Sequence, residues 1–391
     1  MIRCKMDFND MVERRNNKME NKQELIETVK DEADSYTDDS LYNITSFGTD
    51  MSYREIVAMY NDGDLEKPEL QRKYVWTRNE ASRFIDSILL GLPVPSIFLA
   101  KTTDDRRLIV DGYQRIMTVY DYMEKGVFSG DGKAFRLSNS ENIHPSWRGK
   151  TFAELSADQK RKIRTSPIHA IVFEQKHPQN DTGMYQIFER INTSGRALKP
   201  QEIRNCVYHG RFNQFLMELN REKIWRDVIG SETEDSRMAD VELILRFFAF
   251  SDILQREEMN QQQINLVKYL NEYMRDHSDI SPEEEKEKRA EFINTITFLH
   301  NAIGEHVFRA GKYINDNIKW AKKVNPVIFD AVCTATVLCN HSDSDTSLYE
   351  KYCQLFQNGA FEIVTHQRTT NTENIRKRIE IAAKYLYGAE L

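Results

Sequence analysis

The sequence predicts an α+β domain followed by an all-helical one, and three observations carry that reading. Up to about residue 208, short apolar runs of β type alternate with segments of helical period. Beyond that point every periodic segment spaces its apolar residues three and four apart, as in Val241, Ile244, Leu245 and Phe248. The length of 391 residues is enough for two domains with separate cores. The expected divisions are a polar N-terminal arm over residues 1–43, the mixed domain over 44–208 and the helical domain over 209–391.

Composition limits the function classes. A charged fraction of 29%, a hydrophobic fraction of 40% and a formal charge of -7 describe a soluble globular chain rather than one coated in basic residues for nonspecific DNA binding. Any DNA contact is then confined to a local patch. The five cysteines, Cys4, Cys206, Cys333, Cys339 and Cys353, are scattered and form no Cys-x-x-Cys pair, as expected of reduced thiols rather than a disulfide frame or zinc site. The first residues carry no apolar signal region, and the longest apolar stretch, 87–100, is broken by Gly91, Pro93 and Pro95. A cytoplasmic location with no membrane partner is the expectation.

The elements follow in chain order. The arm is too polar for a core and ends in the acidic run 29–39, as a mobile extension or one that packs on a neighbour. Ser52 and Glu55 have capping-box spacing at the start of a helix that stops at Asn61-Asp62-Gly63-Asp64. Leu70 to Trp76 has a β-type end, and the helix after it has apolar positions Phe84, Ile85, Ile88 and Leu89 and stops at Gly91. Pro93 and Pro95 lead into a strand over 96–100, and a polar turn leads into the apolar run Leu108-Ile109-Val110.

Asp111-Gly112 breaks that run, and Ile116, Val119, Tyr120 and Met123 restore helical spacing, so the unit reads strand, tight turn, helix. The first N-H groups of a helix have no intrahelical partner, and the helix dipole favours an anion there. Gly112 permits close approach to the backbone, Arg115 projects a cation from the first turn and Thr118 adds a hydroxyl one turn later. Two readings are open on these residues: a phosphate cradle, or an ordinary Asp-Gly turn with Asp111 as N-cap and Arg115 in solvent.

Other candidates carry the same duality. Arg72, Tyr74 and Trp76 alternate on one side of an extended segment, where they either present a guanidinium and ring faces to a nucleotide or pack as core. A loop-rich stretch over 127–150 holds the exposed-looking pair Trp147-Arg148. Ser156 and Gln159 open a helix bearing Lys160, Arg161, Lys162 and Arg164, either a solvated face or a contact to a DNA backbone. A strand over 167–173 follows. After a helix over 183–191 comes Asn192-Thr193-Ser194-Gly195-Arg196, with Pro200 at the first position of the next helix. With Arg190 beside it, that loop either completes an anion or metal-nucleotide site or is a well-capped connection. Later helices are expected over 211–223, 238–254, 264–277, 282–308, 325–340, 348–357 and 372–387. Glu283 to Arg289 reads as a wet helix face, and Arg376-Lys377-Arg378 as a small basic patch.

Four blocks in order, Gln71 to Trp76, Ser87 to Pro95, Val110 to Arg115, and Phe188 to Gly195 continuing to Glu202-Ile203-Arg204, give the chain its resemblance to a known family. It resembles the ParB/sulfiredoxin-like domain at the N-terminus of GmrSD-type restriction endonucleases, over roughly residues 46–208, as a stand-alone member without an HNH domain. The resemblance implies a centre that binds and hydrolyses an NTP, with Asp111, Gln114 and Arg115 as its catalytic residues. It implies nucleotide contacts from Gln71, Arg72, Tyr74 and Trp76, from Gly112 and Tyr113, and from Arg190, Asn192, Thr193 and Gly195, to which the place of Thr118 one turn into the helix adds a further nucleotide contact. The expected cofactor is an NTP with Mg2+, Asp111 being the candidate metal ligand.

The family's signature has Gln where this chain has Tyr113, so binding without fast turnover is one expectation. The leading functional reading is a nucleotide-dependent, DNA-acting protein of bacterial restriction or antiphage defence, either NTP-hydrolysing or NTP-sensing, with DNA and a nuclease or other defence protein as partners. The alternatives are a noncatalytic DNA- or protein-binding module, and a metal-dependent DNA nickase in which Asp111 and Glu202 converge on a metal.

Overall fold

The computed structural model describes residues 24–29, 44–66, 74–102, 105–175, 182–191, 198–208, 210–315, 317–339 and 347–391. The mixed region comprises β1 (Ile44–Ser52), α1 (Tyr53–Asp62), β2 (Leu65–Glu66), α2 (Arg78–Leu90), β3 (Ile97–Lys101), β4 (Arg107–Asp111), α3 (Tyr113–Tyr120), α4 (Ala157–Thr165), β5 (Pro167–Gln175), α5 (Thr182–Ile191) and α6 (Pro200–Val207). Its strands form one sheet in the order β1-β5-β3-β4-β2. β3 runs parallel to β5 and antiparallel to β4, which places two apolar strands at the centre.

The central strands are apolar on both faces because both faces are covered. Ile97, Leu99, Ile109 and Val172 enter a core shared with α1 to α4, while Ala100, Leu108 and Val110 enter a second core with α5, α6 and the helices beyond. The sheet is therefore a middle layer, and the helical region packs directly on its second face. Edge strand β1 pairs, among the described residues, only with β5 and has the sequence ITSFGTDMS. Its polar, half-solvated residues explain why no apolar alternation announced it.

Local signals set the helix ends. Ser52 accepts from the Glu55 N-H at the start of α1, and Gly63 ends it in the left-handed region. Thr77 and Glu80 form a reciprocal capping box on α2, and Gly91 closes it. α3 passes into a single π-type turn, Asp121–Lys125, before Gly126.

The region after residue 208 is almost entirely helical: α7 (Arg211–Leu219), α8 (Lys223–Ile229), α9 (Ala239–Phe250), α10 (Leu266–Asp276), α11 (Pro282–Ile303), α12 (Pro326–Leu338), α13 (Leu348–Leu355), α14 (Gly359–His366) and α15 (Thr372–Tyr387). One antiparallel hairpin, β6 (Arg309–Ile314) with β7 (Asn317–Val324), interrupts it. A piece of the arm docks there: Ile26 bridges Val324, with the Glu27 N-H donating to Val324 O at 2.9 Å. Among the described residues no helix is long and apolar enough to cross a membrane.

Three sequence expectations are corrected. Tyr74 to Trp76 is extended but joins no strand ladder. Trp147 is buried, not exposed, because its Nε1 donates at 2.7 Å to the buried carboxylate of Asp86 on α2. Arg378 is not part of a surface patch: it is fully buried and donates to Thr369 O beside the buried Arg246–Asp330 ion pair.

Candidate functional site

The strand-turn-helix unit forms at the C-terminal end of β4. Asp111, its last residue, pairs across the sheet with Phe98, next to a register shift between Phe98 and Leu99. Gly112 then takes φ +102, a conformation that L side chains rarely adopt. A Cβ there would lie 2.4 Å from Ile97 Cγ2 and 2.9 Å from Ile97 Cβ, so glycine is required by space as well as by backbone. As N-cap, Gly112 has no side chain with which to accept from the first N-H groups of α3.

Arg115 lies over this start. One terminal nitrogen donates to Asp111 Oδ2 at 2.6 Å and to Ser96 O at 3.1 Å. Its Nε is buried and has no partner among the described residues. A guanidinium held by one edge with a donor left over is preorganised for a further acceptor. Asp111 keeps its side chain 39% exposed, so one of its oxygens faces Arg115 while the carboxylate remains open to solvent.

The Val110–Arg115 block is strapped to the described end of the Gln71–Trp76 block. Gln114 Oε1 accepts from the Val75 N-H at 3.1 Å and the Trp76 N-H at 3.3 Å. Thr118 is fully buried; its hydroxyl donates to Gln114 O at 2.7 Å and meets the Tyr74 hydroxyl at 2.6 Å. Tyr74 packs edge-on against Phe128 and Trp76 against Phe84. Both rings are half-buried, and burial raises the Tyr74 phenol well above its ordinary range. Burial raises Tyr113 too, with the nearby Asp121 carboxylate adding to the effect. The Ser87–Pro95 block ends one residue before Ser96, the carbonyl that Arg115 uses. Two of the four blocks thus meet at one junction, and a third leads directly into it.

The remaining predicted residues lie as follows. Gln71, Arg72, Asn192, Thr193 and Gly195 fall outside the described residues. Arg190 is exposed in the last turn of α5, whose Tyr185, Ile187 and Phe188 enter the second core. Glu202 is buried, accepts from the Lys199 N-H at 2.7 Å and pairs with Arg237 at 2.9 Å. Arg204, also buried, donates to Gln201 Oε1 at 2.7 Å and to Asn271 Oδ1 at 3.3 Å, and pairs with Glu242. The described end of the fourth block therefore fastens α6 to the helical region.

The α4 cations are partly engaged: Lys160 donates to Ala153 O, Arg161 pairs with Asp158, and Arg164 stacks over Phe152, while Lys162 is exposed. Among the described residues no group of three or more His, Cys, Asp or Glu side chains is arranged to hold a metal.

Two participants were not legible as such. Ser96 supplies a carbonyl, which has no residue signature. Tyr53, the first residue of α1, is fully buried, its hydroxyl has no partner among the described residues, and the Arg115 charge acts on its phenol against the larger effect of burial. Only its place after the Ser52 cap was visible.

Compared with known families, residues 53–209 match the GmrSD restriction endonuclease, N-terminal domain, and the chain contains that domain. No curated protein matches the chain.

Proposed function

We propose that the GmrSD N-terminal domain of residues 53–209 gives this chain a nucleoside triphosphate site, with the phosphates seated at Gly112–Arg115, in a DNA-acting protein of restriction or antiphage-defence type. One observation carries the reading: a glycine with no room for a Cβ is the N-cap of a helix beside an arginine whose buried Nε has no partner among the described residues. Such a site suits a phosphate oxygen, which accepts from backbone and guanidinium N-H groups together.

In this reading Arg115 Nε donates to a phosphate oxygen, and Asp111 fixes the guanidinium while its solvent-facing side offers a carboxylate to a hydrated Mg2+. The cation, when bound, neutralises charge on the phosphates. Gln114 and Thr118 position the segment carrying Tyr74 and Trp76. Gln71, Arg72, Arg190, Asn192, Thr193 and Gly195 belong to the proposal through the family resemblance.

Sensing rather than rapid hydrolysis is favoured by Gln114, whose side-chain oxygen is occupied by the Val75 and Trp76 amides. Tyr113 stands where the family's signature has the first of its two Gln residues and brings a half-buried phenol instead. The test is calorimetry with ATP, GTP and CTP in the presence of Mg2+, on the wild type and on Arg115→Ala. Loss of a charge-assisted hydrogen bond of about 1.5–3 kcal/mol weakens binding roughly 10- to 150-fold. Unchanged affinity in Arg115→Ala refutes the cradle, and phosphate release with and without DNA separates a sensor from an NTPase.

A further inference from the structure

The β6–β7 hairpin of the helical region has a charge arrangement that no acidic side chain among the described residues compensates. Lys312 and Lys319 are directly opposite each other in the ladder, and both are exposed. Like charges at directly opposed positions are destabilising, since their Cβ atoms lie only about 4.5–5.5 Å apart. Neither lysine has an ion-pair partner among the described residues. Lys322 is a third exposed cation on β7, whereas Lys323 is paired with Glu24.

The opposite face of the hairpin is committed to packing. Trp320 stacks on His306 and Tyr352, and a Cβ on Gly311 would strike Ile318 and Trp320. The hairpin is thus pinned to the helices by one side while it presents opposed ammonium groups on the other. This cationic ridge stands out in a chain whose formal charge is -7.

We infer that the Lys312–Lys319 face of this hairpin is a contact surface for the phosphate backbone of duplex DNA. A polyanion with closely spaced charges is the partner for which two adjacent ammonium groups become complementary, and a two-stranded ribbon is an element that duplex grooves admit. No base-reading group is required: ammonium groups on phosphates fix position and affinity without sequence preference. The inference rests on the proposed DNA-acting reading and adds to it where the DNA lies, on the helical region rather than on α4.

The test is a salt titration of duplex DNA binding by the full chain, wild type and Lys312→Gln/Lys319→Gln. Each phosphate contact contributes about 0.9 to the slope of log affinity against log salt, so the double variant should lose roughly 1.8 of slope and about 30-fold in affinity near 0.15 M salt. Its melting temperature should stay level or rise, because the like-charge pair is gone, and its nucleotide affinity should not change. A loss of DNA binding together with a fall in melting temperature overturns the proposal, as does a variant with wild-type affinity and slope; in the latter case the DNA-acting reading survives. Wild-type protein that binds no duplex even at low salt overturns both, and a wild type that binds polyglutamate in preference to DNA assigns the face to an acidic protein instead.

Discussion

Replacing Gly112 by alanine is expected to cost far more than the same change at Gly63, although both glycines occupy positive φ, +102 and +81. Alanine in a left-handed conformation costs roughly 1–2 kcal/mol, offset by about 0.4–1 kcal/mol from the reduced entropy of the unfolded chain. At Gly63 nothing lies within 4 Å of the added Cβ, so a loss of about 1 kcal/mol or less is the whole effect there. At Gly112 the new atom meets Ile97 Cγ2 at 2.4 Å and Ile97 Cβ at 2.9 Å. Ile97 is fully buried on β3 and its branch begins at the backbone, so it cannot swing aside as the end of a flexible side chain would. Overpacking of this kind adds about 1–3 kcal/mol, for a total of about 1–4 kcal/mol.

Urea denaturation of the two variants and the wild type reads the difference as midpoints at constant slope. Calorimetry with nucleotide then shows whether the displaced junction still binds. If the two variants lose the same stability within about 0.5 kcal/mol, the close approach of Ile97 to Gly112 is not what this position requires.

Two further outcomes follow from the same region. Gln114→Ala removes the acceptor shared by the Val75 and Trp76 amides, so those amides should exchange hydrogen faster, with a stability loss of about 1 kcal/mol; unchanged exchange would mean the segment is held by its rings alone. Asp121, fully buried in the π-type turn, is raised above its ordinary 3.8 by burial, against the hydrogen bonds from Ser129 that lower it. An acid whose native value is raised holds its proton longer when folded than when unfolded. Its effect is therefore a loss of stability as pH rises from 3.8 toward the elevated native value, with none below 3.8. Asp121→Asn should flatten that part of the stability-against-pH curve, and a variant with the wild-type slope would show that the proton is taken up elsewhere.

The sequence by itself determined the order of local structures in the mixed region. The Ser52 cap, the Gly91 stop and the β4-turn-α3 unit were readable because each depends on residues within a few positions of one another. The helical region was readable from its period, apart from the β6–β7 hairpin, whose apolar side is not continuous enough to mark two strands. Edge strand β1 escaped for the reason that it buries little. The family's domain was legible from four blocks in order.

Only the tertiary structure decided what the named side chains do. Gln114 and Thr118, read as ligand contacts, are joined to residues 38 to 44 positions away, and Trp147 finds its partner in Asp86, 61 positions away. Such contacts have no period, because they are fixed by how the layers close rather than by the local chain. The same holds for Arg115: its spacing from Asp111 was visible as one helical turn, but its Nε is left without a partner among the described residues because Ser96 and Asp111 both accept from one terminal nitrogen of the guanidinium. Hydrophobic spacing specifies which face of an element is buried. Which polar atoms are left unsatisfied at that burial, and so which can meet a ligand, is settled only when the whole core has packed.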